Sequence, residues 1–99
     1  MTYDTYYIFF GKLADPLKIK IISALKDKEC SVSELSKKLK IEQSKLSHAL
    51  ANLKWCNIVK VRKEGKKRIY SLNKETILPM LKLIDNHEKK FCTKCCYKK

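Results

Sequence analysis

Three thiols fall within five residues near the end of the chain, Cys92-x-x-Cys95-Cys96. Thiolates this close in sequence can wrap a soft ion such as Zn²⁺, Cd²⁺ or trivalent arsenic. Lys94, Lys98 and Lys99 favour the negatively charged thiolate, and His87, one turn before Phe91, is a candidate fourth ligand. The same sulfurs, together with Cys30, offer a second chemistry, disulfide formation under oxidation. No second CxxC accompanies the cluster to complete a structural zinc site. Cys30, ahead of a helix cap, is expected at the surface, and Cys56, between Trp55 and Asn57, reads as a small buried apolar residue. Five cysteines, an odd number, argue against a disulfide framework.

A second constellation lies in residues 41–53. Leu46, Ala49, Leu50 and Leu53 recur at i, i+3, i+4 and i+7, one stripe of a helix. Ser44, Lys45, Ser47, His48 and Asn52 are left on the other side, with Gln43 at the start. That face is short, polar and free of acids, which suits a helix laid in a DNA major groove. The chain carries a net charge of +13, and residues 58–73 hold six basic groups against one Glu, +5 in sixteen residues. Arg62, Lys63, Lys66, Lys67 and Arg68 in this stretch are suited to backbone phosphate or the minor groove. A polarised basic surface points to nucleic acid as partner. An enzyme is not expected: there is no Ser/His/Asp or Cys/His/Asp set and no Gly-rich phosphate loop, with only two Gly in 99 residues.

The elements that must position these groups can be read in order. Residues 3–14 form an aromatic helix whose Tyr3, Tyr6, Tyr7, Ile8, Phe9 and Phe10 are too many for one stripe, so it wants a second apolar surface, most simply another subunit. Asp15-Pro16 starts the next helix, with Asp as N-cap and Pro at the first helical position; Leu17, Ile21, Ile22 and Leu25 face inward. Ser31-Val32-Ser33-Glu34 is a capping box opening a short helix to Leu39. A tight turn at Lys40-Ile41 then leads into the groove helix, giving a helix-turn-helix. Asn57 closes that helix in a left-handed conformation. Alternation of Val59 and Val61, then of Tyr70 and Leu72, about Gly65 predicts a two-stranded wing with a basic tip. Helical period returns over residues 74–91, starting near Glu75 or Thr76 so that Pro79 falls in the first turn. Residues 92–99 lose it and are expected to be a Cys/Lys-rich tail beyond a single domain of residues 1–91. No apolar run approaches the roughly 20 residues of a membrane span, and no signal pattern is present, so a cytoplasmic protein is expected.

Three segments, in this order, resemble the ArsR/SmtB-type repressors. Leu13-Ala14-Asp15-Pro16-Leu17-Lys18-Ile19-Lys20-Ile21-Ile22 is similar to their opening "LADPTRLRIL"; Gln43-Ser44-Lys45-Leu46-Ser47-His48-Ala49-Leu50 to their "QSTVSRHL"; and Arg62–Leu72 to their "RREGRRVYYRL" wing. The resemblance spans about residues 10–90. It implies a homodimeric winged helix-turn-helix repressor, paired through its first and last helices, that releases DNA on binding a metal or metalloid or on thiol oxidation. It also exposes departures. Where the family carries two cysteines in "ELCVCDL", this chain has Ser31 and Ser33, with Cys30 out of register. Where a second family site uses Asp, His, His and Glu on the last helix, this chain has Lys74, Thr76, His87 and Lys90. Glu42 stands where a Ser cap is usual, and Ala49 where a His is usual.

The expected fold is therefore mainly α with a two-stranded β wing, in the order α-α-α-α-β-β-α, forming a homodimer. The expected function is a repressor of double-stranded operator DNA, with no obligatory cofactor. Release is by a soft ion at Cys92, Cys95 and Cys96, with thiol oxidation or a constitutive, architectural role as alternatives.

Overall fold

The computed structural model describes residues 3–91. Each helix start that carries a capping signal in the sequence makes the corresponding hydrogen bonds. At α2 (Pro16–Asp27), which follows α1 (Tyr3–Leu13), Asp15 Oδ1 accepts from the Leu17 N–H at 3.1 Å. At α3 (Val32–Leu39), Ser31 Oγ accepts from the Glu34 N–H at 3.2 Å, and Glu34 Oε1 accepts from the Ser31 N–H at 2.8 Å. Removing the hydroxyl with Ser31→Ala breaks this reciprocal pair at a buried position. It is expected to lower the unfolding free energy by about 0.5–2 kcal/mol, measurable by urea titration.

The turn into α4 (Gln43–Trp55) uses Lys40 in the left-handed region, φ 58°, with the Ser36 hydroxyl donating to the Ile41 carbonyl at 2.7 Å. Asn57, also at φ 58°, closes α4 as expected, and the Ile58 N–H returns to the Leu53 carbonyl at 3.0 Å. The wing is the hairpin β2 (Val59–Glu64) and β3 (Lys67–Leu72), antiparallel from Val59↔Leu72 to Glu64↔Lys67. Gly65, at φ +65°, is the first of its two turn residues, the position where a type II′ turn needs positive φ.

A further strand has no counterpart in the sequence reading. β1 (Cys30–Ser31) pairs antiparallel with β3, Cys30 opposite Tyr70 and Ser31 opposite Ile69, so the sheet order is β1-β3-β2. Two residues are too few to show any alternation. This pairing overturns the expectation for Cys30, which is 5 % exposed and belongs to the core. Cys56, expected to be buried, is only half-buried, because it is the C-cap of α4 and sits where the chain leaves the helix. α5 (Ile77–Phe91) begins slightly late because Asn73 organises the approach: its Oδ1 accepts from the Glu75 N–H at 2.9 Å and its carbonyl from the Ile77 N–H at 3.1 Å. Pro79 is thereby in the first turn.

Leu46, Ala49, Leu50 and Leu53 of α4 are all buried, against Ile21, Ile22 and Leu25 of α2, Leu35 of α3, Ile58, Val59 and Leu72 of the wing base, and Ile77 of α5. The core therefore seats α4 from behind and leaves its opposite side bare.

Candidate nucleic-acid interface

With one stripe of α4 in the core, helical geometry of about 3.6 residues per turn fixes the rest. Ser44 and His48 point directly away from the core. Lys45 and Asn52 turn toward α2, while Gln43 and Ser47 turn to the other flank. All six are exposed. Trp55, the one tryptophan of the chain, is eleven positions after Ser44 and three turns on; it falls on the same outermost line and is 86 % exposed. Glu42 makes no side-chain capping bond to α4, in keeping with its departure from the usual Ser.

One groove borders this face and a second lies between α3 and the wing. The first, of about 460 Å³, is lined by Asp15, Leu17 and Lys18 from the start of α2 and by Ser44, Lys45, His48, Ala49 and Asn52 of α4. Across it the Lys18 ammonium donates to Asn52 Oδ1 at 2.9 Å. The other, of about 350 Å³, lies between the first turns of α3 and the wing tip, and brings Lys37 into line with Lys66, Lys67 and Arg68. Lys18 and Lys37 were not among the DNA contacts expected from the sequence. Neither belongs to a motif with a nucleic-acid role, and only the crossing of α2 and α3 against α4 and the wing places them here.

The five wing cations divide. Lys63, Lys66, Lys67 and Arg68 are exposed toward the tip. Arg62 is engaged: its Nη1 and Nη2 meet the two Glu29 carboxylate oxygens at 2.8 and 2.7 Å, and Nη2 also meets Glu64 at 3.1 Å. Those hydrogen bonds, Glu29 first, raise the Arg62 pKa, and Arg62 in turn holds the Glu29 carboxyl below its ordinary value. The fork clamps the wing to the turn after α2. Three residues earlier, Lys26 meets Asp85 of α5 at 2.6 Å.

The thiols separate as well. Cys92, Cys95 and Cys96 lie outside the described residues. Burial, and then the nearby Glu34 charge, push the Cys30 thiol up, and its Sγ–H donates to the Lys28 carbonyl at 3.3 Å. A buried thiol held in its neutral form is a poor partner for the oxidative pairing considered for it. His87 lies on α5 with its ring 5.3 Å from that of Phe91.

Residues 15–61, from the cap of α2 to the start of the wing, match the profile described as "Bacterial regulatory protein, arsR family". A "Transcriptional repressor SmtB homolog" from Synechocystis sp. is 33% identical over 79 residues, 80% of this chain and 60% of that protein. The "Transcriptional activator HlyU" of Vibrio cholerae is 36% identical over 77 residues, 78% of this chain and 71% of that protein.

The chain belongs to the arsR family.

The solved structure of HlyU from Vibrio cholerae superposes with a TM-score of 0.75 at 30% identity, over 93% of this chain and 99% of that one, so the family's winged helix-turn-helix is also this chain's fold. A "Probable mercury resistance operon repressor" from Streptomyces lividans is 31% identical over 80 residues, 81% of this chain and 64% of that protein. Against this family frame, the residues at its two usual metal positions do not fit a metal ion. Ser31 offers a hydroxyl already used in the α3 capping box, Ser33 another hydroxyl, and at the second position His87 alone keeps a ligand type, beside Thr76 and the cations Lys74 and Lys90. Among the described residues no three His, Cys, Asp or Glu side chains converge as a ligand set.

Proposed function

We propose that this arsR-family chain is a DNA-binding transcriptional repressor, acting as a homodimer on an operator of two-fold symmetry. Its two α4 helices enter major grooves in half-sites about one helical turn apart. The observation that carries this reading is the bare side of α4, acid-free and seated by the core behind it, with the basic wing following it in the chain. Gln43, Ser44, Lys45, Ser47 and His48 reach bases and phosphates; Lys63, Lys66, Lys67 and Arg68 neutralise phosphates. Arg62 acts at one remove, by fixing the wing.

Pairing is supported by apolar surface that one chain leaves open. Tyr6, Tyr7, Ile8 and Phe10 of α1 are more than half exposed, and an apolar groove of about 330 Å³ runs between α1, α2 and α5, lined by Phe10, Leu13, Ile19, Ile22, Met80, Leu81 and Ile84 among others. A second copy is the partner that fits it. No described helix is long and apolar enough to cross a membrane, and the protein is taken to work in the cytoplasm, where its DNA is.

Release is assigned to a soft ion, Zn²⁺, Cd²⁺ or trivalent arsenic, bound by Cys92, Cys95 and Cys96 with His87 as candidate fourth ligand. Of the ligands at the two family positions only His87 is kept, and Cys92, Cys95 and Cys96 are the thiols that follow α5 in the sequence. Lys26–Asp85 ties α5 to the end of α2 and Arg62–Glu29 ties the turn after α2 to the wing, a route through which an ion can bias DNA affinity.

The test is operator affinity of the reduced protein across a panel of ions. The operator is first selected from a duplex pool with a random core, and the Cys92→Ser, Cys95→Ser, Cys96→Ser triple variant runs alongside. A soft ion should weaken binding about 5–150-fold in the native chain and leave the triple variant unchanged. Release by oxidant alone assigns the thiols to redox control, and no release by either leaves a constitutive DNA-binding protein.

A further inference from the structure

We propose that Lys18, on α2, belongs to the DNA-reading surface: it binds backbone phosphate and fixes the amide of Asn52 so that Asn52 reads a base. This inference rests on the DNA-binding function proposed above and extends it to a helix outside the helix-turn-helix.

Lys18 is half-buried beside α4, and its ammonium donates to Asn52 Oδ1 at 2.9 Å across the larger of the two grooves. Ser44, Lys45 and His48 line the same groove, so a DNA strand that meets those three side chains also meets Lys18. One carboxylate is present there, that of Asp15, and it is occupied in capping α2 through the Leu17 N–H. The groove thus offers two ammonium groups to a polyanion.

The pair also settles the orientation of an amide. An asparagine side chain ordinarily presents oxygen or nitrogen by a flip of half a turn, and the two arrangements differ in which base they read. A lysine ammonium has three donors and no acceptor, so it can pair only with the oxygen. With Oδ1 held by Lys18, the Asn52 NH₂ group is the part of the amide left to meet a base. Such a donor selects a base edge rich in acceptors, guanine with N7 and O6 before the others. Two of the three Lys18 donors stay available for phosphate oxygens.

Lys18 therefore contributes twice, and the two contributions separate experimentally. The experiment uses the full chain and the duplex pool with a random core, comparing native protein with Lys18→Ala, Lys18→Arg and Asn52→Ala. Affinity for the selected duplex is measured at several salt concentrations, and base preference is read from a repeat selection with each variant. Lys18→Ala should lower affinity for all sequences, reduce the slope of log K against log salt by about 1 per protomer, and blur one base position in each half-site. Asn52→Ala should blur that same position, with the slope kept. Lys18→Arg, which keeps the charge and the donors, should restore the slope. Both positions lie at the surface, and an unchanged thermal midpoint identifies a folded variant. If the native chain selects an operator and Lys18→Ala keeps both slope and base preference, this inference is overturned while the DNA-binding function stands. The same holds if Lys18→Ala and Asn52→Ala blur different positions. If the native chain selects no sequence at all, both fall together.

Discussion

Raising monovalent salt from 50 to 200 mM is expected to weaken operator binding by about 10³–10⁵, the loss for a protein making roughly 6–10 phosphate contacts. The count follows from the placement of charge. Of the net +13, the wing and its base carry +5, and the exposed tip residues Lys63, Lys66, Lys67 and Arg68 give a dimer enough cations for the range before α4 is counted. Each tip cation replaced by Gln should reduce the salt slope by about 1 per protomer and weaken all sequences alike. Arg62→Gln should behave differently. Its guanidinium already faces Glu29 and Glu64, so its loss frees the wing to move without removing a phosphate contact, and affinity should fall with little change in slope. Trp55, the one tryptophan and exposed at the end of the reading line, allows the titration to be followed by intrinsic fluorescence. Affinity independent of salt would remove nucleic acid as the partner.

The contrast between Arg62 and its neighbours also marks where a sequence stops being readable. Caps and periodicity are local, and they survived: Asp15, the Ser31/Glu34 box, Asn57 and the four-residue stripe of α4 all do in the fold what their spacing implies. The outer face of α4 was legible for the same reason, since naming the buried stripe names its complement. What failed was whatever depends on distant segments meeting. β1 is two residues long and exists because β3, forty residues on, offers an edge; it turned Cys30 from an expected surface thiol into a core residue. Arg62 read as one more wing cation because Glu29 is thirty-three positions away. Lys18 carried no signal as a DNA contact, because the Asn52 amide it meets is thirty-four positions away. Charge in a sequence is additive, but charge available to a ligand is what is left after the fold has paired the rest.

Leu50→Ala is expected to lower the unfolding free energy by about 2–5 kcal/mol, the range for truncating a fully buried leucine. Leu50 has no exposed surface and sits mid-way along α4 in the cluster that joins α2, α3, the wing base and α5, so the cavity has rigid elements on every side and little means of closing. Against a total stability of about 5–15 kcal/mol for a domain of this size, the loss is a large fraction. It also acts on function, because Leu50 lies behind the face that carries Ser44 and His48; a loosened α4 should bind operator more weakly even at temperatures where the chain stays folded. Leu83→Ala provides the opposite case. Leu83 is 68 % exposed on α5, and its truncation should change the stability of an isolated chain by less than about 0.5 kcal/mol. If α5 pairs across a two-fold axis, the same change should instead lower the protein-concentration dependence of the thermal midpoint, since a partner that binds only the folded chain stabilises it by mass action. Thermal unfolding of both variants over a hundredfold range of concentration separates the core that seats α4 from the surface proposed to pair two chains. A midpoint that is independent of concentration in the native chain would count against the dimer.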